Sequence, residues 1–133
     1  MERRPTCPQA LKGQLCEKLA RYKCAHWWMQ RPVAHACPLL CIAKKDGTLR
    51  TVIDACQRNS NMVLDVTPMP DMQAIMDSMV RKRYCSKIDM TDAYEQICIQ
   101  PECIEHSGFS TPYGTFESNV MQQGDCNAPS TFQ

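Results

Sequence analysis

The chain has 133 residues, enough for one domain with a buried core, and its 44% hydrophobic and 22% charged residues exclude a disordered chain as the starting point. A net charge of +1 excludes a basic nucleic-acid arm or an acidic tail as a description of the whole. The longest apolar run, residues 36–43, is eight residues with Pro38 inside, against ~20 for a membrane helix; with no apolar leader in Met1-Glu2-Arg3-Arg4-Pro5, an intracellular chain, cytoplasmic or nuclear, with no membrane partner is expected.

Leu11, Leu15, Leu19 and Tyr22 recur at helical spacing and predict an amphipathic helix over about 9–24. Trp27-Trp28 follows, a packing plug or a binding platform. Residues 39–44 and 49–54 flank Lys45-Asp46-Gly47-Thr48, and Asp-Gly between apolar runs predicts a β-hairpin. Alternation puts Arg50, Val52 and Asp54 on one face and Leu49, Thr51 and Ile53 on the other. Lys44, Lys45 and Arg50 then form a cationic tip: either solvated turn residues or a mobile hairpin that closes over a phosphate.

Residues 65–71, with Pro68 and Pro70, read as an extended connection ending at Asp71, which can cap the next helix. In that helix Met72, Ile75, Met76 and Met79 form a stripe read as core rather than a cofactor box. Lys87-Ile88-Asp89-Met90 alternates like a strand. Asp89 with Asp92 three residues on is a divalent-metal candidate, equally well explained as a cap. A second hairpin is expected over 109–121 around Tyr113-Gly114, then a turn at Gln122-Gln123-Gly124-Asp125. Asn127 reads as the cap of a helix with Pro129 in its first turn. Only residues 129–133 follow, so the chain is expected to be a piece of something larger.

Two compositional features cross these elements. Residues 1–58 hold 11 Lys/Arg and 4 Asp/Glu, while residues 59–133 hold 4 and 10. A basic half suits polyanions and an acidic half suits hard cations, unless the two are solvated faces that attract each other. The ten cysteines show no C-x2-C pair. They read as free thiols used as small apolar residues, with Cys98, Cys103 and His106 as an alternative zinc-stabilised structural set.

Four blocks stand in order. The first is Pro38-Leu39-Leu40 leading to Lys44-Lys45-Asp46-Gly47-x-x-Arg50-x-x-x-Asp54, and the second is Pro68-x-Pro70. The third is Lys87-Ile88-Asp89-Met90-x-Asp92-Ala93-Tyr94-x-Gln96-Ile97. The last is Val120-Met121-x-Gln123-Gly124-x-x-Asn127-Ala128-Pro129-x-Thr131-Phe132-Gln133. Together they resemble the fingers and first palm segment of a reverse transcriptase from a gypsy-type long-terminal-repeat retrotransposon, from about Leu11 onward.

The resemblance implies an α+β fold, a partial right-hand polymerase of fingers plus incomplete palm. Its parts are a helical lead-in (1–36), the fingers hairpin and connection (37–68), the palm helix and first catalytic motif (69–96), a returning fingers segment (97–127) and the truncated start of a palm helix (128–133). It implies that Asp89 is the first catalytic aspartate and that Asp89 and the Met90 carbonyl hold Mg²⁺. Lys45 and Arg50 would clamp the phosphates of a deoxynucleoside triphosphate, and Asp92 and Ala93 would offer it backbone N–H groups. Tyr94 would exclude a 2′-hydroxyl, and Gln123 would contact the incoming nucleotide. The implied partners are an RNA/DNA template–primer and the remaining palm, thumb and ribonuclease H regions. The family's second catalytic pair, in a Tyr-x-Asp-Asp strand, does not occur in these residues, so the chain alone is expected not to polymerise, with a remnant that still binds nucleotide or nucleic acid as the alternative. Cys56, Cys85 and Cys98 stand where such relatives carry Arg, which implies weakened phosphate contacts.

Overall fold

The computed structural model of the chain describes residues 5–132. Residues 1–4, where the leader reading begins, and Gln133 of the last block lie outside the described residues.

A single 3-10 turn (Gln9–Leu11) leads into α1 (Lys12–Cys24), and the expected stripe of Leu11, Leu15, Leu19 and Tyr22 is buried. The helix ends where His26 enters the left-handed region (φ 57°) and its N–H donates to the Lys23 carbonyl at 3.0 Å. Trp28 opens β1 (Trp28–Gln30). Its ring lies 4.5 Å from that of Tyr22 and 4.8 Å from that of Phe109, both edge-on, so the tryptophan pair is a packing plug.

The first hairpin pairs β2 (Cys37–Ala43) with β3 (Leu49–Ile53), in register from Leu39 opposite Ile53 to Ala43 opposite Leu49. Its turn closes through Lys44 N–H to Thr48 O (2.9 Å) and Gly47 N–H to Lys44 O (3.0 Å), with Gly47 at φ 79°. Asp46 accepts from the Thr48 hydroxyl and N–H (2.6 and 3.0 Å), and these bonds hold its carboxyl below the usual range. The second hairpin pairs β4 (Phe109–Thr111) with β5 (Gly114–Ser118).

Both hairpins join one five-stranded sheet, ordered β1-β5-β4-β2-β3. β1 adds to β5, and β2 runs parallel to β4 at Cys37–Phe109. A 3-10 segment, Pro101–Ser107, is tied under β5 by the Ser107 hydroxyl, which donates to Ser118 O (2.8 Å) and accepts from Ser118 N–H (2.7 Å). Leu15, Leu19 and Tyr22 of α1 pack on Trp28, Leu39, Ile53, Phe109 and Phe116 to form the core. Each such buried side chain stabilises by about 1.5–3 kcal/mol.

Between the hairpins lie α2 (Cys56–Ser60), an extended connector and α3 (Met72–Val80). Asp71 caps α3 as expected, accepting from Gln73 N–H (2.9 Å) and Ala74 N–H (3.3 Å). The expected core stripe is corrected: Met72, Ile75, Met76 and Met79 are 40–67% exposed. The amphipathic spacing is there, but a stripe is buried only when a second layer lies over it, and no described element covers α3. The strand expected at 87–90 is corrected for the same reason. No described strand lies alongside to pair with it, and Ile88 is 85% exposed.

Asn127 precedes α4 (Ala128–Phe132), with Pro129 in the first turn. Expected as a cap, it uses both ends of its amide on the connector. Its Oδ1 accepts from Asp65 N–H (3.0 Å) and its Nδ2 donates to Val63 O (2.8 Å). None of the ten cysteines is fully buried. The small-apolar reading therefore holds only for Cys7, Cys37 and Cys41, which pack on the core; burial pushes the Cys41 thiol up to about 12, with the Cys7 thiol adding to the shift. Among the described residues no helix is long and apolar enough to cross a membrane.

Removing side chain from α1 and from α3 should differ sharply. Leu15→Ala, at a fully buried site, is expected to lower unfolding free energy by about 2–5 kcal/mol in urea titrations. Met76→Ala, on the exposed stripe, is expected to change it by less than about 0.5 kcal/mol. Equal losses would place α3 in a packed layer.

Candidate functional site

α1, the first hairpin, the segment after Asp89 and the turn at Gln123 enclose a cleft of about 740 Å³. That lies within the roughly 300–1,000 Å³ usual for small-molecule sites. Asp89, Met90, Asp92, Ala93 and Tyr94 line it from one stretch of chain. Arg50 and Lys44 enter from the hairpin, and Gln123 from its turn. Lys45 is not among the lining residues; it sits one position further into the exposed turn, and its neighbour Lys44 lines the cleft. The fourth contributor is α1, through Gln14, Glu17, Lys18 and Arg21, which the sequence offered only as the polar side of an amphipathic helix.

Asp89 lies in an exposed stretch without regular secondary structure, and the chain then turns at Asp92, which adopts φ 48°. Asp tolerates the left-handed region better than most residues, at a cost of about 1 kcal/mol or more that surrounding contacts must offset. Here the Asp92 carboxylate accepts from the Arg21 guanidinium at 3.1 Å. A 3-10 turn, Tyr94–Gln96, follows, and the Tyr94 ring meets Phe132 edge-on at 5.7 Å, so α4 backs this part of the cleft.

Behind the turn the groups are tightly coupled. The Tyr22 hydroxyl donates to Glu95 Oε1 at 3.5 Å. Burial pushes the Glu95 carboxyl up, opposed by a bond from its own backbone and by the Lys18 charge. Burial likewise pushes the Lys18 ammonium down, opposed by Glu95 and Asp92, with Arg21 and Lys44 adding to the fall. Lys18 Nζ lies 4.7 Å from the Tyr22 ring centroid and 5.8 Å from that of Trp28. Burial and the Glu95 charge together drive the Tyr22 phenol far above its ordinary value.

The hairpin, whose mobility is one of two readings of its sequence, is tied to α1. The Gln14 side chain donates to Gly47 O (3.2 Å) and accepts from Leu49 N–H (2.8 Å), bridging both sides of the turn. Gln123 is held from the other side. Ile53 N–H donates to the Gln123 carbonyl (3.2 Å), and the Asn59 amide donates to the Gly124 carbonyl (2.8 Å). Gly124 has φ 123°, and a Cβ there would stand 2.3 Å from the Ile53 carbonyl oxygen, so only glycine fits. Arg58 pairs with Asp125 and also donates to Gln122 Oε1 (3.2 Å), while Asp125 accepts from Gln122 N–H (3.0 Å). Nothing local in the sequence marks this junction, because its partners are more than sixty positions apart.

Asp89 and the Met90 carbonyl are the metal ligands implied by resemblance. Among the described residues no three His, Cys, Asp or Glu side chains approach closely enough to hold a metal ion. The residues present therefore do not complete a two-metal site, and Cys98, Cys103 and His106 do not converge as a zinc set.

The sequence model of the family described as reverse transcriptase (RNA-dependent DNA polymerase) matches residues 42–133. The Tf2-3 and Tf2-7 transposon polyproteins of Schizosaccharomyces pombe are each 31% identical over 99 residues, covering 74% of this chain and 7% of the polyprotein. A foamy viral protease–reverse transcriptase in complex with double-stranded DNA superimposes with a TM-score of 0.88 at 19% identity, over 98% of this chain and 23% of that one. The foamy viral protein in complex with an RNA/DNA hybrid gives 0.84 at 18% identity, over 99% and 18%. The chain thus shares their fold and spans a small fraction of their length.

The Glu95 environment gives a pH signature. Its carboxyl titrates above 4.5 in the folded chain, so from that pH upward the folded state holds more protons than the unfolded one and stability falls until the group ionises. Glu95→Gln keeps an acceptor for Tyr22 and removes the titration. The fall in urea midpoint above pH 4.5 is expected in the parent chain and absent in the variant; identical profiles would show that Glu95 is not the cause.

Proposed function

The chain belongs to the reverse transcriptase family, and on that premise we propose that it is the fingers and first palm segment of a gypsy-type retrotransposon polymerase, ending before the Tyr-x-Asp-Asp motif. Its cleft receives a deoxynucleoside triphosphate beside an RNA/DNA template–primer. The observation that carries the reading is convergence. Arg50, the stretch from Asp89 to Tyr94, and Gln123 are far apart in sequence and line one cleft.

Each residue then has a task it can perform with its own atoms. Arg50, with Lys44 lining the cleft and Lys45 at the hairpin tip, sets positive charge against the phosphate oxygens. The backbone N–H groups of Asp92 and Ala93 donate to the same oxygens from a turn at which Arg21 pairs with Asp92. Tyr94, braced by Phe132, lies under the sugar and excludes a 2′-hydroxyl. Gln123 contacts the nucleotide from a turn anchored to β3. Asp89 and the Met90 carbonyl offer the first ligands for the divalent ion that the family uses, but the set is incomplete in these residues.

The partner assignment draws on the foamy viral protein, whose structures are complexes with double-stranded DNA and with an RNA/DNA hybrid. The isolated chain on this reading binds nucleotide and nucleic acid without turning over. Incubation with an RNA template, DNA primer, deoxynucleoside triphosphates and Mg²⁺ is expected to give no extended primer. Nucleotide binding is expected to be salt-sensitive and to weaken about tenfold in Arg50→Ala, equivalent to about 1.4 kcal/mol. Primer extension by the isolated chain, or binding indifferent to Arg50→Ala, would overturn the assignment.

A further inference from the structure

α1 lies outside the residues matched by the family model, 42–133, yet it lines the cleft. Its most unusual side chain is Lys18. The residue is half-buried, its ammonium sits over the rings of Tyr22 and Trp28, and no carboxylate lies within ion-pair distance of it among the described residues. The two carboxylates that act on it through space are already engaged, Asp92 by Arg21 and Glu95 by the Tyr22 hydroxyl.

Across the same cleft stand Lys44 and Arg50, and Lys44 is near enough to repel Lys18. Repulsion between cations from two elements would ordinarily be relieved by the elements separating. Here the Gln14 bridge to Gly47 and Leu49 holds α1 and the hairpin together. Four carboxylates, Glu17, Asp89, Asp92 and Glu95, line the same cleft and balance its charge, but Lys18, Lys44 and Arg50 have no ion-pair partner among the described residues and are free to meet an anion.

We propose that Lys18 is an anion-binding residue of this cleft, completing with Lys44 and Arg50 a site for a phosphate chain, so that α1 and the hairpin grip the ligand from two sides. The proposal rests on the nucleotide-cleft reading above. It adds a wall to the cleft from a helix to which the family match assigns nothing.

The test is titration of the full chain with inorganic tripolyphosphate and, separately, with a short thymidine oligonucleotide. Lys18→Met keeps the side-chain stem over the two rings and removes the charge; Lys18→Arg keeps the charge. Circular dichroism and the urea midpoint check that both variants fold. Lys18→Met is expected to raise the dissociation constant for tripolyphosphate about tenfold, and Lys18→Arg to restore most of the affinity. Lys12→Met, on α1 but outside the cleft lining, is expected to leave it unchanged. Weakening confined to tripolyphosphate identifies a nucleotide's phosphates as the ligand, and weakening confined to the oligonucleotide identifies a nucleic-acid backbone; either supports a phosphate site at Lys18. If Arg50→Ala weakens binding and Lys18→Met does not, the proposal fails and the nucleotide-cleft reading stands. If Lys18→Met weakens binding and Arg50→Ala does not, the nucleotide-cleft reading fails and the two-sided grip proposed here fails with it. Absence of binding of either probe by the parent chain would overturn both.

Discussion

The seat of Tyr22 determines what the rest of the structure can do. Its ring is fully buried and meets Trp27 and Trp28 edge-on, at 5.1 and 4.5 Å, which fixes α1 to the edge of the sheet. Such aromatic pairs each contribute about 0.5–1.5 kcal/mol beyond the area they bury. The same side chain carries a hydroxyl to Glu95 on the far side of the cleft wall, and Lys18 and Arg21 lie against its ring. Core, turn and cations therefore meet at one residue. If α1 shifted, the Arg21 contact to Asp92 and the Gln14 bridge to the hairpin would be lost together.

The ion pairs do not weigh equally. Arg21–Asp92 and Arg31–Glu117 have arginine side chains about 60% exposed, and such pairs contribute about 0–1 kcal/mol to stability. The Arg21 pair meets Asp92 at the residue that adopts the left-handed conformation. Arg58–Asp125 is different, because both side chains are only 14% exposed and Asp125 also accepts from the Gln122 N–H. Truncating one partner would leave a shielded charge without its counterion, at a cost of several kcal/mol. That junction, with Gly124 pressed against the Ile53 carbonyl, makes the Gln123 turn a fixed feature of the fold.

Where the sequence was legible, the cause was local. The spacing of Leu11, Leu15, Leu19 and Tyr22 sets a helix face, Asp46-Gly47 sets a turn, and Asp71 sets a cap; each depends on residues within a few positions of one another. Periodicity failed at Met72–Val80 and at residues 87–90 because it states which side chains share a face and says nothing about what lies over that face. The site divides the same way. Arg50, Asp89 and Gln123 were readable as motif members, whereas Lys18 and Arg21 look like any solvated side of a helix until Asp92, 71 positions from Arg21, folds against it. That Lys44 and not Lys45 lines the cleft is a one-residue matter of where the turn begins.

The outward-facing stripe of α3 is continuous in sequence with the connector before it and the segment after it. Among the described residues, thirteen of the fifteen large apolar side chains left exposed lie between residues 62 and 90, among them six methionines. Soluble monomers rarely present so much contiguous oil to water. Thioethers, unlike leucines, have a chemical way out. Peroxide converts each to a polar sulfoxide, so mild oxidation would wet this side of the molecule and leave the aromatic core, which contains no methionine, untouched. Oxidation of these thioethers would change the polarity of the exposed surface through sulfur atoms that take no part in holding the fold together.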